Sequence, residues 1–198
     1  MAITEARHQK APLLPAAPPA PQTTGTTTGT TTGTTTGTDP ARYVWAAARI
    51  AIGWVFLWAF LDKLFGWGFA TPAAKAWING GSPTTGFLKG TADRTFGGLF
   101  GALAGQAWVD WLFMTGLAGI GAALVLGVGM RVAATTGGLL LLMMWAAELP
   151  LTTNPFMDEH IVYAIVLAGL ALTRAGETFG LGGRWAATPL VRRFPILR

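Results

Sequence analysis

The sequence predicts an all-α membrane protein: a bundle of four transmembrane helices with an interfacial, partly helical external loop. Three observations carry that prediction. Of 198 residues, 52% are hydrophobic and only 12% are charged, about half the roughly 25% charge of a soluble domain. After Tyr43 long stretches hold one charge or none, as segments meant for hydrocarbon do. The charges that remain sit at the ends of these apolar runs.

The first forty residues stand apart. Ala11 to Pro21 is rich in Pro and Ala, and Gly25, Gly29, Gly33 and Gly37 punctuate threonine triplets. Neither piece can build a core, and no apolar h-region marks a signal peptide, so residues 1–40 read as a disordered leader and 41–198 as the four-helix domain.

The first helix is expected over about 43–65, ending in Asp62, Lys63 and Phe65. The second covers about 108–128, from Trp108 to the Gly127–Gly129 turn. The third covers about 132–149 and is stopped by Pro150. The fourth covers about 155–173, with Asn154 as N-cap and Pro155 at the first helical position. Gly116, Gly119, Ala123, Gly137 and Gly138 should let the second and third helices approach closely. The long connection from Gly66 to Ala107 holds a short helix, Pro72 to Ile78, capped by Thr71. Its aromatic residues Trp67, Trp77, Phe87, Phe96 and Phe100 should keep it at the interface.

Charge sets the orientation. Ten basic residues on one face, among them Arg42, Arg131, Arg174, Arg192 and Arg193, oppose Glu5, Asp39 and Glu177. The other face has Lys63, Lys75, Lys89 and Arg94 against six carboxylates. The first face is therefore expected in the cytoplasm, with both termini. This placement of the basic residues excludes a nucleic-acid module, which would show them in a stripe with exposed aromatics. The absence of cysteine excludes dithiol chemistry and thiolate metal sites within this chain.

Alternating helix directions bring Asp62, Lys63, Asp110, Glu148, Asp158, Glu159 and His160 to one depth at the outer edge. Ionisable groups there are costly unless paired or used. Candidate catalytic residues are Glu148, Asp158 and His160, with Lys63, Asn154 and Tyr163 as candidate substrate-binding residues. Arg49 is read as snorkelling to the inner headgroups. Asp62 points away from Lys63, so at least one of the two should find a partner on another helix. No dinucleotide or phosphate loop occurs, and one histidine in the helical region cannot supply two haem ligands. The spacing of Glu148, Asp158 and His160 matches no recognised metal pattern, so neither a metal nor a tightly bound cofactor is expected. Any redox chemistry would use a diffusible acceptor, a membrane quinone.

Three segments, IAIGWVFLWAFLDKLFG (Ile50 to Gly66), WINGGSPTTGFL (Trp77 to Leu88) and NPFMDEHIVYAIVLAGLAL (Asn154 to Leu172), resemble the DoxX/DoxD family of bacterial and archaeal membrane proteins. The resemblance runs from about residue 42 to the C-terminus. Within that family they look most like the DoxD-like, large subunits of thiosulfate:quinone oxidoreductases. The resemblance implies a multi-pass protein of the bacterial plasma membrane that oxidises thiosulfate to tetrathionate, passes electrons to quinone and works with a small subunit or soluble redox partner. It marks Lys63, Asn154, Pro155, Asp158, His160 and Tyr163 as motif positions. The alternative is a non-catalytic anchor or scaffold for redox enzymes, and oligomerisation stays open under either reading.

Overall fold

The computed structural model describes residues 40–198. The expected leader lies outside them. Eight α-helices and four 3-10 turns make up the described chain, with no strand among the described residues. Four of the helices form the bundle: α1 (Ala41–Phe65), α4 (Ala107–Leu126), α5 (Met130–Glu148) and α6 (Glu159–Leu172). The short α2 (Thr85–Gly90) and α3 (Gly97–Ala102) lie in the long connection, and α7 (Gly182–Ala186) and α8 (Pro189–Arg193) follow the bundle.

Each long helix turns one stripe inward at helical spacing. On α1 the stripe is Ala46, Arg49, Gly53 and Phe56, and on α4 it is Asp110, Met114, Leu117, Gly121 and Leu124. Helix α1 packs on α4 and α6, and α5 packs on the same two, closing the ring around Ile52, Phe56, Leu117, Ile120, Leu141 and Leu167. The outward faces are apolar as well: Trp111, Leu112, Leu139, Ile165 and Leu172 are all more than half exposed. Apolar surface on that scale suits lipid and not water.

Helices α1, α4 and α5 are each long and apolar enough to cross a membrane. The fourth expected span is shorter than the sequence suggests. Helix α6 has 14 residues and begins at Glu159, not at Pro155. Asn154 does not cap it. Its Oδ1 accepts the backbone N–H groups of Phe156 and Met157 instead, at 3.1 and 3.0 Å, a local turn that competes with helix. Asp158, in extended backbone, is the cap, accepting the N–H of Ile161 at 3.2 Å.

The close crossings also differ from expectation. A Cβ at Gly121 would lie 2.8 Å from the backbone nitrogen of Leu57, and one at Gly53 would lie 2.9 Å from the Cβ of Leu124, so α1 and α4 cross closely with glycines on both sides. Gly137 fits against Leu167 and Ile120, whereas Gly116, Gly119 and Gly138 face open space. Small residues occur on both faces of α4, and only those on the inward stripe matter for packing.

Gly66, at φ +68°, ends α1 by accepting the left-handed conformation that closes its last turn, with its N–H on the Asp62 carbonyl at 2.8 Å. Beyond it, the expected helix from Pro72 to Ile78 is two 3-10 turns, Ala73–Lys75 and Trp77–Asn79, separated by extended Ala76. Thr71 is buried and caps neither turn. Phe100 turns inward, with Leu88, onto Ala147 near the end of α5. Trp67 stays at the surface in a chain of ring contacts with Trp58 and Phe65, both at 5.4 Å, as an interfacial belt would.

Candidate functional site

The bundle has two ends. One, the turn end, carries the start of α1, the α4–α5 turn and residues 173–198. The other, the loop end, carries the connections 66–106 and 149–158. Each has a buried polar centre.

At the turn end, Arg49 is fully buried and does not snorkel. Its guanidinium donates to five carbonyls: Leu124 and Val125 at the end of α4, and Ala175, Thr178 and Phe179 after α6, with the Val125 and Phe179 bonds at 2.8 and 2.9 Å. Helix C-termini leave carbonyls without intrahelical partners, and a planar fork of five N–H donors suits several of them at once. Gly127 and Gly180 around the fork leave it room.

At the loop end, the structure divides the seven expected residues among separate tasks. Asp62 is buried and accepts the N–H groups of Phe69 and Ala70 at 3.3 and 2.9 Å, so its partner is the following loop and not another helix. Asp110, in the first turn of α4, accepts from the Ser82 hydroxyl at 2.9 Å and from the Thr84 hydroxyl and N–H at 2.6 and 3.2 Å. Glu159 is exposed. Lys63 makes no hydrogen bond or ion pair among the described residues. It lines a 560 Å³ cavity on the outer side of α1 with Trp54, Trp58, Asp62, Phe69 and Ala70.

Glu148, Asp158 and His160 do come together. One ligand-type atom from each lies within 4.8 Å of the other two. The chain achieves this by ending α5 at Glu148, running through the 149–158 connection and starting α6 at the Asp158 cap. The connection is held down at three points: Thr95 N–H on the Leu149 carbonyl and Arg94 on the Pro150 carbonyl, each at 2.8 Å, and the indole N–H of Trp145 on the Phe156 carbonyl at 2.8 Å. Asp158 divides its carboxylate, with Oδ1 on the Ile161 N–H and Oδ2 on His160 Nδ1 at 2.8 Å. Both side chains of that pair are at least 90% buried. That bond fixes the ring and leaves Nε2 without a protein partner among the described residues. Glu148 is half-buried and makes no hydrogen bond or ion pair among the described residues.

Asn154 shapes the approach to the cap, and Tyr163, one turn after His160, packs against the core. The arrangement can hold and orient a proton carrier, because the ring is fixed by one carboxylate while a second stands free beside it. One nitrogen and two carboxylate oxygens at this spread could also share a divalent cation, which the sequence spacing does not suggest. Two features escaped the sequence reading. The hydroxyl grip of Ser82 and Thr84 on Asp110 lies inside the SPTT run and leaves only a weak trace. The cap role of Asp158 was visible as an aspartate just before the apolar-periodic run, but Asn154–Pro155 offered a competing start. No family model, curated protein or solved structure matches the chain.

Proposed function

We propose that the chain is a four-span membrane subunit of a quinone-linked oxidoreductase, with Glu148, Asp158 and His160 handling the protons of quinone reduction. The observation that carries this reading is the cluster itself, an oriented imidazole and a free carboxylate drawn together from two helix ends; in a bilayer spanned by the bundle, that end would lie where a lipid-borne quinone head meets water. Although α6 is short, it starts beside the last residue of α5 and leads to Ala175 and Gly176 beside the α4–α5 turn. Its 14 residues rise about 21 Å, and the turn through Ala175 and Gly176 carries the chain the rest of the way along α5, whose 19 residues rise about 28 Å, close to the hydrocarbon thickness. The excess of arginine at the turn end supports placing that end, and both termini, in the cytoplasm.

Thiosulfate is the electron donor that the family resemblance implies. Two thiosulfates join through a new S–S bond as tetrathionate and release two electrons. The quinone takes these with two protons to become quinol. His160 and Glu148 are the groups that pass protons in this scheme. The Lys63 cavity, which none of the cluster residues lines, would receive the quinone ring before it reaches the cluster, because Trp54, Trp58 and Phe69 offer faces for stacking while Asp62 in the same wall repels a dianion. The ammonium of Lys63 would donate to a ring carbonyl.

The test is thiosulfate-dependent quinol formation by the protein purified with whatever partners remain bound, in vesicles. Wild type should turn over, Glu148→Gln and His160→Ala should each lose about 100-fold or more in kcat, and Lys63→Ala should chiefly raise the KM for quinone. Absence of turnover, or unchanged kcat in both cluster variants, would overturn the reading. The scaffold alternative draws on a different observation, since Asp62 and Asp110 hold the outer connections in fixed positions and so offer a firm docking surface. It predicts partner retention with no effect of Glu148→Gln.

A further inference from the structure

A second cavity, of 810 Å³, opens at the turn end between the start of α5, the end of α6 and the C-terminal segment. Its size falls within the roughly 300–1,000 Å³ of ligand sites. Three arginines line it, Arg131, Arg174 and Arg198, against two carboxylates, that of Glu177 and the terminal one of Arg198. Among the described residues no arginine forms an ion pair within 4.0 Å, so Glu177 neutralises none of the three. Among the described residues the side chains of Arg174 and Arg198 donate to no protein group, and Arg131 donates one N–H to the Pro195 carbonyl at 3.3 Å. The first turn of α5 carries no acidic residue. Three arginines thus line one space with most of their donors unused among the described residues.

The rest of the wall is apolar, with Met130, Ala134, Ala168, Ala171 and Leu172 supplied by the two bundle helices. Leu172 is 84% exposed, so this side is open to the bundle's outer surface. The far wall is fixed in place. The N–H of Arg131 donates to the Arg198 carbonyl at 2.8 Å, the Leu181 N–H to Leu126 at 2.8 Å, and the Trp185 indole to the Leu197 carbonyl at 2.6 Å. A small inorganic anion would satisfy the arginines and leave the apolar wall wet. A ligand with a phosphate at one end and hydrocarbon at the other satisfies both.

We propose that this cavity binds an anionic phospholipid, its phosphate against Arg131, Arg174 and Arg198 and its acyl chains along α5 and α6. The site needs the chain to lie in a bilayer and is independent of any redox role.

The full chain, purified and reconstituted, tests this. Vesicles of phosphatidylcholine alone should be compared with vesicles containing increasing phosphatidylglycerol, reading Tm, and native mass spectrometry should count retained lipid. Wild type should show a saturable rise in Tm and keep a phosphatidylglycerol molecule through detergent exchange. Arg131→Gln/Arg174→Gln should require at least tenfold more anionic lipid for half the effect. Because Arg131 also bonds Pro195, Arg174→Gln alone is the cleaner variant, and a threefold or greater weakening is expected. Two results would overturn the proposal: equal response of wild type and Arg174→Gln, or full stabilisation by inorganic phosphate in phosphatidylcholine vesicles, which would indicate a free-anion site.

Discussion

Arg49 and the Glu148–Asp158–His160 cluster are buried polar centres at opposite ends of one bundle, and they differ in how much of their bonding capacity the protein itself uses. Arg49 meets five carbonyls and has nothing left to offer a ligand. In the cluster, Asp158 is fully engaged, whereas Glu148 and one ring nitrogen of His160 have no protein partner. An ionisable group in an apolar helix is commonly read as functional. The contrast teaches a finer rule: satisfied groups hold the fold, and groups left partly unsatisfied beside them are the ones free to meet a ligand.

The largest effect that could break this comparison is on stability at Arg49. Replacing it with Met should strand carbonyls from two chain segments and cost on the order of 3–5 kcal/mol, seen as loss of monodisperse protein in detergent. Arg49→Lys should not rescue it, because one ammonium cannot reproduce the planar fork. A stable Arg49→Met protein would place Arg49 among the dispensable charges.

Next is the α1–α4 crossing. Gly121→Leu should cost about 1–3 kcal/mol by overpacking against Leu57, while Gly116→Ala and Gly119→Ala, which face open space, should stay within about 0.5 kcal/mol of wild type. Thermal melts of the three proteins in one detergent decide it. Equal losses in all three would mean that both faces of α4 are packed.

Asp110→Ala removes three hydrogen bonds to Ser82 and Thr84 and should cost about 1–3 kcal/mol, chiefly by loosening the outer connection. Limited proteolysis should then cut within residues 82–106 well before the bundle melts. Protection equal to wild type would show that Leu88 and Phe100, packed on Ala147, hold the connection without Asp110.

Most of this architecture is legible in the sequence, because apolar run length and end charges mark α1, α4 and α5 directly. The meeting of Glu148 with Asp158 and His160 follows from antiparallel helices and a short connection. Asn154–Pro155 and Asp158 are both good helix starts in sequence, and in the structure Asn154 turns its side chain onto the Phe156 and Met157 N–H groups while Asp158 caps α6. The role of Arg49 was hidden, since its five acceptors lie 75 or more residues away along the chain. Composition shows that a charge lies within an apolar helix, and only the fold shows whether it is buried and satisfied.

The smallest expected effect on stability is at the cluster, where His160→Ala removes one hydrogen bond while Asp158 keeps its cap on Ile161, a loss of about 1 kcal/mol. There the same substitution should have its largest effect on activity. The most direct measurement is therefore thiosulfate-dependent quinol formation per folded molecule for His160→Ala beside Asp110→Ala in the same vesicles. The account predicts that His160→Ala stays folded and loses about 100-fold or more in turnover, while Asp110→Ala, the less stable protein, keeps most of its turnover per folded molecule. Full turnover in folded His160→Ala would contradict it.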